Sequence, residues 1–231
     1  MAPGRRGRNR DELWLWYAHP VADYTLRRQQ IIHTSVRLGT SMPRKSERTR
    51  QRIVEAANRL FYHKGYNQTS FQDISEATGI PRGNFYYYFK TKDEILNAVV
   101  NARIDELNSV LNKIQSETPN PVERLMMFAD FLDTHQNNII ESGCPVGSLS
   151  SELAKDAPEL QQKSTELFSV LRQWFKQQFT ALGLTNADEL AMDLLTMLQG
   201  VSIVACAFKD MDYLIRSQQQ IRDWIKTNTL N

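Results

Sequence analysis

The chain has 231 residues, of which 41% are apolar and 23% are charged, a composition typical of a globular protein with a real core. Its two cysteines, Cys144 and Cys206, are too few for a disulfide framework and lack the spacing of a zinc site, so we expect a cytoplasmic protein without metal or cofactor. The longest uncharged run, 194–208, is shorter than the roughly 20 residues that span a bilayer, which favours a buried helix and excludes a membrane partner.

The net charge of +2 is unevenly distributed along the chain. Residues 42–92 hold ten lysines and arginines against four acidic residues, whereas residues 93–231 hold eleven against nineteen. A basic segment beside an acidic one indicates a polyanionic partner such as nucleic acid. The alternative is a basic surface that meets only solvent.

Residues 1–41 differ from the rest of the chain. They contain seven arginines and no lysine, and they show no sustained helical or strand period. This pattern predicts a disordered extension. Ordered patterning begins at Met42, which we expect to be the natural start of translation; the alternative is a functional N-terminal arm.

The basic segment predicts helices in succession. The first carries Ile53 and Phe61 on one face and ends at Gly65. A second, short helix begins at Ser70, whose hydroxyl caps the amide of Asp73 while the Asp73 carboxylate reaches back to the Ser70 amide. The two ends are therefore specified by local chemistry.

A third short helix follows a turn at Gly79, with Pro81 in its first position. On a helical wheel Phe85, Tyr88 and Phe89 share an inward face. The outward face carries small and hydrogen-bonding groups beside two tyrosines, which suits close approach to a phosphate backbone and to base edges. The outward residues are Gly83, Asn84, Tyr86 and Tyr87.

The acidic segment also predicts only helices, so the predicted fold class is all-α, with a three-helix head followed by a larger helical domain. Thr91 to Glu94 forms a capping box that opens a long helix. Asn120 caps a further helix that starts at Pro121 and extends to about Asn138. The remaining helices are expected over 147–154, from 158 to Gly183, over 187–208 and over 212–226.

The run RIVEAANRLFYHKGYNQTSFQDISEATGIPRGNFYYYFKTKDEIL, residues 52–96, resembles the DNA-binding domain of TetR-family transcriptional repressors almost position by position. The resemblance extends over about residues 46–99 and implies a helix-turn-helix whose second helix enters the major groove. Pro81 stands where that family more often has serine. The resemblance implies DNA contacts at Ser70, Arg82, Gly83, Asn84, Tyr86, Tyr87 and Lys92.

The same resemblance implies a homodimer that binds a palindromic double-stranded DNA operator and a small apolar or electrophilic effector. It divides the chain into a helix-turn-helix DNA-binding domain at 42–92 and a ligand-binding and dimerisation domain at 93–231. The helix near 190–208 is apolar around most of its circumference, which fits a dimer interface. The interface is expected at Leu194, Leu198, Val201, Ala205, Phe208 and Trp224.

Aromatic side chains of the second domain form the candidate effector pocket. Aromatic residues at helical spacing also form ordinary cores, and the histidine of this group is as well explained by a structural hydrogen bond. The candidates are Phe128, Phe131, His135, Trp174 and Phe175.

Cys144 is the candidate sensor. If Pro145 lies in the first turn of a helix, the thiol occupies the N-cap, where the helix dipole favours the thiolate, and Gly143 and Gly147 leave it accessible. The segment GCPVGSLSSELA also resembles one that follows helix five in a multidrug- and electrophile-responsive TetR subgroup. The alternative is a structural cysteine, and Cys206 is expected in the core.

The predicted function is that of a DNA-binding transcriptional repressor without catalytic activity. Release from the operator is expected on binding of a small ligand or on modification of Cys144. The rival interpretation is an all-α enzyme or a protein-binding scaffold that retains a helix-turn-helix shape. Such a protein should show a cluster of acids, bases or metal ligands, and no such spacing is visible in the sequence.

Overall fold

The computed structural model describes residues 44–156 and 158–229, and the predictions made for residues 1–41 and for Met42 lie outside them. Throughout this described part the chain is all-α, with no strand. The helices are α1 Lys45–His63, α2 Phe71–Thr78, α3 Arg82–Tyr88, α4 Lys92–Glu117, α5 Pro121–Asp133, α6 Gln136–Ser142, α7 Pro145–Asp156, α8 Pro158–Ala181, α9 Ala187–Phe208 and α10 Met211–Thr229.

The described residues from Thr49 onward form one compact unit, which contains two large apolar cores and a smaller third one. The first core contains the predicted inward residues of the head, among them Ile53 and Phe85, which are fully buried. It also contains Leu149 and Leu153 of α7 and Leu167 of α8. The three-helix head and the following helices therefore share apolar packing, so the head is held against α7.

The second core lies among α5, α8, α9 and α10. Phe128 of α5 and Phe175 of α8 pack in it together with Leu194 of α9 and Ile225 of α10. The far end of α4 reaches this core through Leu111. Since α4 has buried residues in both cores, it connects the head to the C-terminal helices.

The helix predicted from Pro121 to about Asn138 is two helices in the structure. The first, α5, ends at Asp133, and α6 starts only at Gln136. The Thr134 hydroxyl donates to the Phe131 carbonyl at 2.7 Å. A threonine side chain that bonds the preceding turn competes with the helical backbone pattern, which accounts for the break.

The apolar helix α9 has two different apolar faces. By length and composition it is apolar enough to cross a membrane, with a mean hydropathy of 1.7 over its most apolar window. The core helix of a soluble protein passes the same test, and α9 packs against α6, α8 and α10. It leaves Ile203 59% exposed on its outer face, and Phe208, its last residue, 78% exposed. The apolar composition thus serves an internal core and a free surface.

This arrangement corrects the predicted dimer interface. Leu194 and Ala205 are buried against their own chain, so they are wrong as interface residues. A helical wheel cannot tell which of two apolar faces meets the chain's own core. Three further predicted residues are half-buried at the edge of the second core: Leu198, Val201 and Trp224. The exposed apolar residues of this region are Met192, Ile203, Val204 and Phe208 on α9 and Ile215 on α10.

A charged side chain lies inside the structure at the middle of α4. Arg103 is 3% exposed, and no other charged group among the described side chains is buried to this extent. Glu106, one turn further along, is half-buried. Burial raises the pKa of the Glu106 carboxyl to about 7, although the Arg103 guanidinium acts in the opposite direction.

This pKa predicts a pH-dependent stability that Glu106→Gln removes. Between pH 4.5 and 7 the folded chain holds a proton that the unfolded chain has released, so the free energy of unfolding falls as the pH rises through this window. The glutamine variant is expected to be more stable than wild type by about 2 kcal/mol at pH 8, after allowance for solvent screening, and close to wild type near pH 4.5. Urea unfolding at fixed protein concentration measures this difference.

Asp105→Asn is the matched control, because Asp105 is an exposed acid on the same helix. It should give no comparable gain at pH 8. Equal stability of the Glu106 variant and wild type at pH 8 would contradict the prediction.

Candidate nucleic-acid interface and effector region

The start of α2 is fixed by a capping box, as the sequence predicts. The Asp73 amide donates to the Ser70 hydroxyl oxygen at 3.2 Å, and the Ser70 amide donates to the Asp73 carboxylate at 2.7 Å. Lys64 also binds this carboxylate at 2.6 Å. Hydrogen bonds from Lys64 and from Ser70 hold the pKa of Asp73 well below its usual range.

The turn between α2 and α3 needs a glycine. Gly79 has φ 66° and ψ 14°, in the left-handed region that side chains disfavour. The Ser75 hydroxyl donates to the Ile80 carbonyl at 2.7 Å, and Arg52 of α1 donates to the Thr78 carbonyl at 2.7 Å. These bonds tie both sides of the turn to the head, so α3 is presented in a fixed position.

The aromatic residues of α3 separate into an inner and an outer set, as the helical wheel predicts. Phe85 is fully buried, edge to face with Phe71 at 6.1 Å between ring centroids. Tyr86 is 45% exposed and stacks on Phe71 at 5.9 Å between ring centroids, while Tyr87 is 76% exposed. Tyr88 is half-buried. The short helix is anchored by phenylalanine and presents tyrosine to solvent.

The first turn of α3 is open to solvent. Pro81 is the N-cap residue, one position before the predicted start, and its carbonyl accepts from the Asn84 amide at 2.8 Å. Arg82, Gly83 and Asn84 are exposed. A Cβ atom at Gly83 would meet no other atom within 4 Å. This part of the helix can approach another molecule closely.

Lys92 and Lys90 differ in their surroundings. The Lys92 ammonium donates to the Tyr66 carbonyl at 3.0 Å and lies 4.2 Å from the centroid of the Tyr66 ring, and burial lowers its pKa. It is thus engaged by the turn after α1. Lys90, which lies outside the predicted DNA-contacting set, is exposed just beyond α3, and its ammonium donates to the Tyr86 carbonyl.

Glu152 of α7 holds the same turn from the other side. The Tyr66 amide donates to one of its carboxylate oxygens at 2.9 Å, and the Asn67 amide donates to the other at 2.7 Å. Glu152 stands 85 residues from Asn67 along the chain, so no local pattern could reveal it. Two residues before α7 begins, the Gly143 carbonyl accepts from the Tyr62 hydroxyl of α1 at 2.7 Å.

The five aromatic candidates for an effector pocket lie together. Phe128 is 5.1 Å from Phe175 and 5.8 Å from Trp174, centroid to centroid, and 6.3 Å from Phe131. Phe131 is 4.4 Å from His135. The first three are buried in the second core, whereas Phe131 and His135 are half-buried.

Polar groups border this aromatic cluster. The Nδ1 atom of His135 is 2.7 Å from the Phe131 carbonyl oxygen, and burial lowers the pKa of the imidazole, which favours its neutral form. The indole nitrogen of Trp174 is buried and has no acceptor in the described part of the chain. An indole N–H can only donate, so it leaves a hydrogen bond to be filled.

Cys144 occupies the N-cap position, because the Ser148 amide donates to its carbonyl at 2.9 Å. The prediction that Cys206 is plain core is wrong. Both cysteines are half-buried, and the Cys206 thiol lies 3.6 Å from the Lys209 ammonium at the end of α9. The last turn of a helix leaves one side of a residue uncovered, which the apolar pattern does not indicate.

Over the residues that the structure describes, no three His, Cys, Asp or Glu side chains are grouped to hold a metal ion. The head presents an exposed polar and aromatic helix surface on α3, and its turn after α1 is bonded to Glu152 of α7.

Two family profiles match the chain. The profile described as bacterial regulatory proteins of the tetR family matches residues 53–99. The profile described as the C-terminal domain of LmrA/YxaF-like transcriptional regulators matches residues 121–220.

Individual proteins agree with these profiles. The chain is 32% identical over 171 residues to a helix-turn-helix regulator in the lacX 3′ region of Lactococcus lactis subsp. lactis, covering 72% of this chain and 87% of that protein. It is 30% identical over 129 residues to the transcriptional repressor DhaR of Mycobacterium sp. (strain GP1), covering 55% and 62%. A TetR transcriptional regulator from Legionella pneumophila has the same fold, with a TM-score of 0.69 at 23% identity over 82% of this chain and 100% of that chain.

The two family profiles and the related proteins all describe transcriptional regulators and not enzymes. The enzyme interpretation is therefore set aside. The helix-turn-helix head and the helical C-terminal domain are those expected from the sequence. The chain therefore belongs to the TetR family of bacterial transcriptional regulators.

Proposed function

We propose that this regulator is a cytoplasmic homodimeric repressor that binds a palindromic operator and leaves it when an effector or a thiol adduct is present. The observation that carries the proposal is the outward face of α3, where Gly83, Asn84 and Tyr87 are exposed while Phe85 is buried. Residues 42–92 would form the DNA-binding domain, and residues 93–231 the effector and dimerisation domain.

The contacts to DNA are assigned by exposure and chemistry. Tyrosine hydroxyls, the Asn84 amide and the Arg82 guanidinium donate to phosphates and base edges. Lys90 adds a phosphate contact beside α3, and Lys92 contributes by supporting the turn after α1 and by adding positive charge. The proposed DNA-contacting set is Ser70, Arg82, Gly83, Asn84, Tyr86, Tyr87, Lys90 and Lys92.

Dimerisation would use the outer face of α9. Met192, Ile203, Val204 and Phe208 of this one helix are all exposed, and grouped exposed apolar side chains mark an interaction surface. A two-fold axis would place the same face of a second copy against it. Two-fold protein symmetry in turn requires a palindromic operator, with half-sites spaced by one or more turns of DNA.

Effector control would act through α7. The half-buried Phe131 and His135 and the unfilled Trp174 donor provide a wall for an aromatic or apolar effector. An adduct on Cys144 would enlarge the first turn of α7, whose Glu152 holds the turn after α1. Displacement of α7 would therefore move the heads away from the spacing of successive major grooves.

Gly83→Ala is expected to separate folding from DNA binding. The added methyl group meets open space and alanine favours the helix. The free energy of unfolding should therefore stay equal or rise by up to about 1 kcal/mol, and the melting temperature should not fall. Operator affinity should fall at least tenfold, because the methyl group blocks the approach to DNA. Fluorescence anisotropy with DNA selected from a random pool measures the affinity.

Tyr87→Ala should weaken the same complex, and Ser109→Ala, on the exposed face of α4, is the control. Wild-type affinity should also fall steeply with salt as phosphate counterions are released. Full operator affinity of the Gly83 variant, or binding that ignores salt, would refute the assignment of α3.

The double variant Ile203→Asp/Phe208→Ser is expected to be monomeric. Each apolar side chain contributes roughly 1.5–3 kcal/mol when buried, and symmetry counts each change twice, so the dimer dissociation constant should rise at least a hundredfold. Sedimentation equilibrium measures this constant. Tyr87→Ala, which removes an exposed aromatic residue of the head, should remain dimeric. An unchanged dissociation constant of the double variant would exclude this face.

Maleimide or quinone treatment is expected to release the wild-type operator complex through Cys144. A bias of about 3 kcal/mol in the conformational equilibrium would weaken operator binding more than a hundredfold. Cys144→Ser should resist release, whereas Cys206→Ser should behave as wild type; this is a matched control because both thiols are half-buried. Equal release of the Cys144 variant would leave a reversible ligand as the sole effector.

A further inference from the structure

Arg103 has an incomplete set of partners. Its Nε atom donates to the Asn58 side-chain oxygen at 2.7 Å, and its Nη1 atom donates to the Pro145 carbonyl at 2.8 Å. Both acceptors are uncharged. The third nitrogen, Nη2, is buried and has no hydrogen-bond partner in the described part of the chain.

The guanidinium also lacks a counter-charge. No carboxylate of the described residues forms an ion pair with Arg103, and the side chain is only 3% exposed. Glu106 is near enough for the guanidinium to lower its pKa, yet burial prevails and raises this pKa to about 7, so the carboxyl is not a full counter-charge at neutral pH. An arginine cannot release its proton, so the charge stays buried without full compensation.

We infer that Arg103 binds the anionic group of the effector, and that the effector is a small apolar molecule with a single carboxylate. This inference rests on the proposed effector control and names the ligand class. One carboxylate matches one guanidinium charge and can accept from Nη2. Phosphate or sulfate would bring a second negative charge beside Glu106. Leu107, one turn further along α4, packs against both apolar cores, so the apolar part of such a molecule would extend from Arg103 toward the aromatic cluster of the second core.

The position of Arg103 gives the bound anion a route to the head. The same guanidinium bonds α1 through Asn58 and the first turn of α7 through Pro145, next to Cys144. A carboxylate that binds Nη2 competes for the orientation of the guanidinium, so it alters both bonds together. Ligand binding and thiol modification would thus act on the same turn of α7.

Binding is tested by calorimetric titration of the full chain, without DNA, with acetate, butyrate and benzoate and with their uncharged amides. We expect at least one acid to bind, with its amide at least tenfold weaker. If no acid binds, or if every amide binds as tightly as its acid, the inference is overturned.

Asn58→Asp provides the decisive variant, because it places a carboxylate where the Asn58 oxygen now accepts from Nε at 2.7 Å. Because the new carboxylate supplies the missing counter-charge, the melting temperature should rise and the affinity for the acid should fall at least tenfold. Glu106→Gln, which removes a competing negative charge, should increase the affinity for the acid severalfold. An Asn58→Asp protein that binds the acid as tightly as wild type would refute the site.

Operator release by the same acid is measured separately by fluorescence anisotropy. Release from wild type but not from Asn58→Asp supports the effector role, whereas an acid that binds but leaves the operator complex intact refutes that role. If the chain binds no operator at all, the proposed repressor function fails, while the calorimetric titration still decides whether Arg103 binds a carboxylate.

Discussion

The carboxylate of Glu152 holds the two amides that follow the first helix of the head, and this contact ties the helix-turn-helix head to α7. Backbone amides at the end of a turn need acceptors, and a single carboxylate satisfies both Tyr66 and Asn67. The Lys92 ammonium binds the carbonyl side of the same turn. Since Leu149 and Leu153 of the same helix lie in the core of the head, a movement of α7 cannot leave the head unaffected.

Two surfaces of the molecule are built by the same physical rule. A short helix such as α3 is stable only if one face is buried, so Phe85 supplies the anchor and leaves Tyr87 free. Helix α9 follows this rule with apolar residues on both faces, which yields a core face and an exposed apolar stripe. The first outer face is polar and suits DNA, and the second is apolar and suits another copy of the chain.

Arg103 is an exception, because it places a charged side chain on the buried face of α4. A buried guanidinium without a charged partner costs stability, and neutral acceptors from Asn58 and Pro145 compensate only part of this cost. Charged side chains are seldom fully buried unless a charged partner offsets their loss of water. Arg103 lies between the head and the first turn of α7, so this cost falls at the place where the proposed effector control would act.

The sequence by itself determined the all-α class, the capping box at Ser70, the inward and outward faces of α3 and the N-cap position of Cys144. These features depend on residues within one or two helical turns of one another, and short-range periodicity and capping record them directly. Only the tertiary structure decided that Leu194 and Ala205 face their own core, that Glu152 reaches Tyr66, and that Arg103 lacks a counter-charge. These properties depend on which distant helices become neighbours, and packing among residues dozens of positions apart leaves no local pattern in the chain.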